Sequence, residues 1–371
     1  MSKKILDFST ISGESVKKYE GIKKYIATGD ITNNKISSYT EVDYSNKPSR
    51  ANQIAKIGEV LFAKMKDTIK VITINNKNSE YIYSTGFYII KPKENVLTDY
   101  LYWLFNSPKF NIDKDKYCKG ATQKALNNEG LSKIEIKELP NIEIQEKIVC
   151  KLNKVAEILN KKQEQLNALD ELIKSQFVEM FGDPNKNEKN FKTEELKNCI
   201  LNIENGKSFV CENFARKNEY PAILKLSAVT YGNYNQDENK ALIKQEMFIS
   251  KNEVHSGDLL FTRKNTPELV GMSAFVYDTK PNLMLPDIIF RINTLENCNK
   301  IYLWQMINHP FFRNKIMAIS NGSAKSMSNI SKENLMNLKI ILPPIELQNQ
   351  FAEIVKQIDK QKFEIENSLK E

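Results

Sequence analysis

The stretch Leu139-Pro-Asn-Ile-Glu-Ile-Gln145 is written a second time as Leu342-Pro-Pro-Ile-Glu-Leu-Gln348, and each copy opens a run spaced by fours and threes. After the first copy the run is Ile148, Leu152, Val155, Leu159, Lys162, Leu166, Leu169, Ile173, Gln176 and Met180. After the second it is Leu347, Phe351, Ile354, Ile358, Gln361, Ile365 and Ser368. Heptad spacing of this kind, interrupted by polar Lys162 and Gln176, predicts two long helices. Gly182 follows the first at the left-handed cap position, and Asp183-Pro184 blocks continuation. Taken as helical from Ile144 to Met180, the first helix is about 55 Å long at 1.5 Å per residue. An apolar seam must be covered, and the nearest partner is the other copy, packed antiparallel because the chain returns to its start.

The duplication extends outward from these helices. Gly58-Glu-Val-Leu-Phe62 returns as Gly257-Asp-Leu-Leu-Phe261, and Tyr100-Leu101 with Asn106-Ser-Pro108 returns as Tyr302-Leu303 with Asn308-His-Pro310. The offset is nearly constant and far longer than the roughly 20–50 residues of a solenoid repeat, so the chain reads as one unit, globule then helix, present twice. The expected domains are a first globule over 1–142, a first long helix over 143–181, a second globule over 182–345 and a second long helix over 346–371. Within the globules, Val60–Phe62, Lys70–Ile74 and Tyr81–Tyr83 read as strands, as do Ile223–Leu226, Asp258–Thr262 and Ser273–Tyr277. Asp99–Phe105 and Lys300–Ile307 read as helices, the first stopped by Asn106-Ser-Pro108. The fold class is α/β in the α+β sense: two homologous mixed globules separated by antiparallel coiled-coil helices, with pseudo-twofold character.

Net charge is +8, and its distribution matters more than its size. The first helix carries six lysines against seven acids and the second four against six, which leaves the globules 44 basic and 33 acidic residues. Excess positive charge on the globules suits a polyanion-binding protein. Five cysteines without a C-x-x-C pair and two distant histidines, His255 and His309, support neither a disulfide framework nor a zinc site. No apolar run approaches the ~18 residues of a membrane span, and the Met1-Ser-Lys-Lys start lacks a signal-peptide core, so a cytoplasmic protein is expected. Asn205-Gly-Lys-Ser208 resembles the end of a phosphate-binding loop, but Leu201 stands where its leading glycine would be. Asp287 has no partner carboxylate or lysine of a nuclease set nearby. No catalytic residue is identified, and the chain reads as one that binds.

Globule, Gly-Asp-Leu-Leu-Phe strand, glycine-led loop (Gly120-Ala-Thr-Gln-Lys124 and Gly322-Ser-Ala-Lys-Ser326), Leu342-Pro-Pro-Ile-Glu-Leu-Gln348, and a heptad helix ending in Met180-Phe-Gly-Asp183 follow one another in order. In this the whole chain resembles the specificity subunit of type I restriction-modification systems. The resemblance implies a non-catalytic, DNA-reading scaffold of phage defence. Each globule would be a target recognition domain for one half of a split double-stranded sequence. The helices would set the spacer and dock two methyltransferase subunits, and a motor-nuclease subunit would complete the complex. No cofactor is expected in this chain; S-adenosylmethionine, ATP and magnesium would belong to the partners. Two other readings are a self-sufficient DNA-modifying or DNA-cleaving enzyme with divergent motifs, and a coiled-coil scaffold that binds no DNA.

Candidate DNA contacts rest on residue type and placement. Thr122, Gln123 and Lys124 after Gly120, and Ser323, Lys325 and Ser326 after Gly322, offer donors on flexible backbone. Lys64 and Lys66 in the first copy and Arg263 and Lys264 in the second follow the phenylalanine of the shared strand. Arg263 has the rigid fork that a bidentate guanine contact needs, and Arg50 is its expected counterpart. On the helices, Ile148, Leu152, Val155, Leu159, Leu166, Leu169, Ile173, Phe351, Ile354, Ile358 and Ile365 are the expected spacer or partner-facing residues.

Overall fold

The computed structural model describes residues 2–321 and 327–369. The chain divides into two compact units, Met1–Asn160 and Lys161–Glu371. In each, the same strands pair in the same order.

In the first unit an antiparallel four-stranded sheet runs Val71–Thr73, Val60–Ala63, Phe87–Pro92, Ser9–Ile11. In the second unit its counterpart runs Ser273–Phe275, Leu259–Thr262, Ile289–Thr294, Ile200–Asn205. A parallel pair occurs once in each: Ile82–Ser84 beside Lys23–Ile26, and Leu283–Met284 beside Ala222–Leu224. Each inner strand of that pair then takes an antiparallel neighbour, Thr40–Val42 in one and Asn239–Ala241 in the other. Lys3–Lys4 against Glu135–Ile136 matches Lys192–Glu195 against Lys339–Leu342. The first unit adds Ala51–Ile54 and Glu14–Ser15 to make a five-stranded sheet. Apart from such additions, the mixed α/β duplication expected from the sequence is present in the pairing of the shared strands.

The repeated phrases have repeated jobs. Gly58 and Gly257 sit at φ 86° and 88°, a left-handed turn that disfavours any side chain. The acid that follows closes the turn: Glu59 Oε2 accepts from Lys56 N at 2.7 Å, and Asp258 Oδ2 accepts from His255 N at 2.9 Å. Each glycine carbonyl then receives a donor from the helix above, Thr98 Oγ1 at 2.8 Å or Lys300 Nζ at 2.8 Å. Those helices are Thr98–Asn106 and Lys300–Asn308.

Asn106-Ser-Pro108 and Asn308-His-Pro310 do stop these helices, and they also start new ones that the sequence reading had not placed, Pro108–Lys116 and Pro310–Ala318. Proline takes the first turn, where no N–H is needed. Ser107 Oγ accepts from Phe110 N at 3.2 Å, and His309 Nδ1 accepts from Phe311 N at 3.4 Å.

The long helix is Ile142–Phe181 and the C-terminal helix is Ile345–Asn367. The glutamine that ends each quoted phrase is fully buried in the first turn. Gln145 Oε1 accepts from Leu97 N at 3.0 Å, while its amide donates to Asn95 O at 2.9 Å and Pro140 O at 2.8 Å. Gln348 repeats this with Asn299 N at 2.9 Å, Asn297 O at 3.1 Å and Pro343 O at 2.7 Å. One side chain thus fastens each long helix to the loop that precedes the globule's own helix.

Within the second unit the two long helices pack antiparallel. Phe177 and Phe181 meet Phe351 with ring centroids 5.6 and 5.3 Å apart, Asp170 pairs with Lys362 at 2.6 Å, and Lys162 Nζ donates to Ser368 O and Oγ at 3.0 and 2.6 Å. Leu166 and Ile173 are buried, as are Phe351 and Ile358, while Leu169, Ile354 and Ile365 are half-buried. The expectation of a covered seam does not extend along the whole first helix. Ile148 is half-buried beside buried Val149, but Leu152, Val155 and Leu159 are 36%, 52% and 47% exposed. The physical reason is length: the C-terminal helix reaches its cap at Ser368, and Lys162 meets that cap.

Two stability tests follow from these contacts. Gln348→Leu keeps the bulk but strands an N–H and two carbonyls in the core, so it should cost about 1–3 kcal/mol or more, as should Gln145→Leu. Calorimetry of each variant should show a different unfolding transition lowered; losses below about 0.5 kcal/mol, the range of inert surface changes, would refute the fastening role. His309 is buried, its ring stacked on Phe177 at 4.9 Å, and burial pushes its pKa below the ordinary value, opposed by a hydrogen bond with the Lys174 backbone and by the Asp183 charge and reinforced by the Lys174 charge. The unfolded chain therefore takes up the proton first. Stability from the neutral ring is complete above the unfolded pKa of about 6.5 and declines as pH falls from there toward the folded value. Melting between pH 7.5 and 5.5 should accordingly drop less in His309→Asn, which keeps a capping acceptor and cannot titrate.

Candidate nucleic-acid interface

The strand Val60–Ala63 is followed by Lys64, and Leu259–Thr262 is followed by Arg263. Both residues have their main chain held by the same two neighbours. Lys64 N donates to Gly86 O at 2.9 Å and Arg263 N to Ile288 O at 3.0 Å; Lys64 O accepts from Leu126 N and Arg263 O from Ile330 N, both at 2.8 Å. Both side chains are half-buried and lie over the equivalent aromatic ring. Lys64 Nζ is 4.4 Å from the centroid of Tyr88, and Arg263 Cζ is 5.0 Å from that of Phe290. Lys64 also donates to Thr85 O at 2.9 Å, and Arg263 Nε to Asn329 Oδ1 at 3.2 Å. Burial holds the Lys64 ammonium below its ordinary pKa.

A hairpin stands beside Lys64, and paired backbone stands beside Arg263. In the first unit Lys119 and Ala125 bridge through two 3.0 Å bonds, and Lys66 N donates to Lys124 O at 2.9 Å. Thr122, Gln123 and Lys124 form the exposed tip. Gly120 is needed there, at φ 140° with Gln123 O only 2.3 Å from where a Cβ would stand. In the second unit Asn321 bridges Asn329, and Lys264–Asn265 pairs with Ser328–Asn329. Ser323, Lys325 and Ser326 lie outside the described residues.

Of the residues expected in the first copy, the fold brings Arg50, Lys64, Lys66 and Lys124 together. Arg50 is exposed ahead of Ala51–Ile54, and its carbonyl accepts from Thr85 N at 2.9 Å, next to the carbonyl that holds Lys64. By topology Lys64, not Arg50, is therefore the counterpart of Arg263. The position of Arg50 is taken in the second unit by the Asn205-Gly-Lys-Ser208 turn. There Lys207 N donates to Leu285 O at 3.2 Å and Ser208 Oγ bonds Asp287 Oδ1. Gly206 packs so closely on Leu285 O that a Cβ would stand 1.8 Å from it. The turn is no phosphate cradle, and Asp287 is occupied by Ser208.

Sequence reading missed the cations that brace these segments. Lys114 is buried to 1% exposure and donates to Met65 O and Thr68 O at 3.1 and 2.5 Å. Arg313 donates to Val270 O and Glu268 O at 2.6 and 3.3 Å. Burial lowers the pKa of both, opposed at Lys114 by Asp115. They come from equivalent helices but different turns, so no aligned letter marks them. Lys332 was also missed; it lies 5.8 Å from the Phe290 centroid, where in the first unit Asn128 instead accepts from Tyr88 Oη at 2.7 Å.

A model of the type I restriction modification DNA specificity domain matches residues 3–168 and again 188–371. The EcoEI specificity subunit of Escherichia coli is 34% identical over 151 residues, 40% of this chain and 25% of that protein. The EcoKI specificity subunit of Escherichia coli strain K12 is 27% identical over 176 residues, 46% and 36% of the two chains. The chain thus matches only about a quarter to a third of the length of these curated relatives. Two solved structures share the fold: the type I restriction-modification system S subunit from M. genitalium (TM-score 0.58, 11% identity, 100% of this chain and 92% of that one), and a chain from a type I system (TM-score 0.54, 18%, 99% and 92%). With the duplicated architecture matched in each half, the chain belongs to the type I restriction modification DNA specificity domain family and carries that domain twice.

Proposed function

We propose that this chain is the DNA sequence-specificity subunit of a type I restriction-modification complex, each globule reading one half of a bipartite double-stranded target. The observation that carries the reading is the duplication itself: two globules with the same four-stranded sheet and the same parallel pair, each followed by a long helix fastened by an equivalent buried glutamine. A split target needs two readers of one design. The globules outside the helices hold the excess positive charge, which supplies salt-dependent attraction to the phosphate backbone.

The helices set the spacer between half-sites and dock two methyltransferase subunits. Support for docking comes from Leu152, Val155, Ile158 and Leu159, apolar side chains between 36% and 53% exposed on one helix. The chain itself contributes recognition and assembly, not chemistry. S-adenosylmethionine belongs to the methyltransferase subunits, and ATP and magnesium to a motor-nuclease subunit, the whole acting in the cytoplasm. No helix among the described residues is long and apolar enough to cross a membrane.

Methylation mapping tests the reading. Host DNA from cells with and without this gene, and with residues of one globule exchanged for those of another specificity chain, should show a split motif that vanishes on deletion. Exchanging one globule should rewrite one half of the motif and leave the other half intact. A motif that survives deletion while the neighbouring methyltransferase is active would refute it.

A further inference from the structure

The duplication makes each globule a control for the other. If the two read different half-sites, as the proposed function requires, then what they share is independent of sequence and what differs between them is free to carry it. Lys64 and Arg263 are shared in placement and differ in shape. Each is the first residue after the central strand, each has its N–H and C=O taken by equivalent loops, and each lies over the ring that the neighbouring strand supplies at the equivalent position. The ring presents its negative face to the cation and orients it without neutralising it.

Their remaining partners are neutral. Lys64 has the carbonyl of Thr85 and Arg263 the side-chain oxygen of Asn329, and among the described residues neither forms an ion pair with a carboxylate. The contrast with Arg291 is direct, since its guanidinium pairs with Glu204 at 3.0 Å and Asp258 at 2.9 Å and is consumed by the fold. Two half-buried cations are thus held in place with their charge uncompensated, beside exposed hairpin residues in the first unit and beside the Asn321–Asn329 bridge in the second.

We infer that Lys64 and Arg263 are equivalent phosphate clamps, each held over its ring to grip the DNA backbone of its own half-site, and that neither reads a base. The rigid planar fork that fixes an arginine on one guanine is absent from lysine, so the two copies do not share a base-reading geometry; a phosphate contact needs only the positive charge common to both. The clamp fixes the register of the globule on the duplex. Sequence is then read by groups that the copies do not share. These include Arg50 and the Ala51–Ile54 strand in the first unit, and Lys207 and Ser208 in the second.

The full chain, purified with its methyltransferase partner, is titrated by fluorescence anisotropy against a duplex carrying the mapped motif and against a shuffled duplex, over 50–200 mM salt. Lys64→Gln and Arg263→Gln should each weaken both duplexes by the same factor and lower the slope of log affinity against log salt by about 1. The methylated motif should remain that of the wild type. The charge-preserving exchanges Lys64→Arg and Arg263→Lys should keep affinity, slope and motif, which also guards against a glutamine variant that simply misfolds. A motif that changes at one base position in any of these variants would overturn the clamp in favour of base reading. Unchanged affinity and slope in well-folded glutamine variants would overturn it in favour of a purely structural cation. A wild-type complex with no salt-dependent affinity for either duplex would overturn the DNA reading as well, a result distinct from the other two.

Discussion

A primary amide buried without its partners is among the costlier things a small core can contain, and Gln145 and Gln348 are both buried completely. Both meet that cost with three hydrogen bonds each. Their acceptor takes the N–H that begins the approach to a globule helix, and their donors take carbonyls on either side of it. The direction in which each long helix leaves its globule is consequently fixed by directional bonds, where apolar packing alone would allow rotation. The same glutamine could not serve if the prolines at 140 and 343 were followed by a shorter turn, which explains why the phrase recurs as a whole.

A second layer of constraint lies one step further in. The left-handed glycines at 58 and 257, their acid-closed turns and the helix donors above them bind the central strand of each sheet to the helix it supports. Aromatic packing completes the layer: Phe62, Phe105 and Phe110 cluster in one unit, with centroids 4.7–5.3 Å apart, and Phe181, Tyr302 and Phe351 in the other, at 4.9 and 5.3 Å. Rigid strands then deliver Lys64 and Arg263 to their rings with little freedom left to lose on binding.

Much of this was visible in the sequence, though not always with its meaning. The heptads, the glycine-acid turns and the duplicated order all appear as letters because the interactions they make are local or strictly repeated. Paired strands at Val60–Ala63 and Leu259–Thr262 were legible for the same reason. The helices after Pro108 and Pro310 were not, since a proline reads equally as a stop and as a first turn, and only the capping side chains of Ser107 and His309 decide. Lys64 and Arg263 were legible as positional equivalents because both follow the phenylalanine of the shared strand, and strand topology keeps them so; Arg50 was matched to Arg263 on residue type alone. Lys114 and Arg313 escaped because they brace matching loops from different helical turns, so their likeness exists in space and not in alignment. The uncovered part of the long helix was legible in the unequal lengths of the two runs, 143–181 against 346–371, because a seam is covered only as far as its partner's end.

That ending is itself informative. Where the antiparallel helices run together, polar contacts cross the seam, among them Lys162 with Ser368 and Asp170 with Lys362, joining residues 206 and 192 apart in the chain. Sliding one helix by a turn would move an ammonium group off its partner and against apolar neighbours, so the pairing has one register. The two segments are therefore not free to drift in length one at a time. A residue gained in either helix between these contacts requires a matching gain in the other, and two stretches of sequence far apart in the chain inherit a shared ruler, graduated in helical turns.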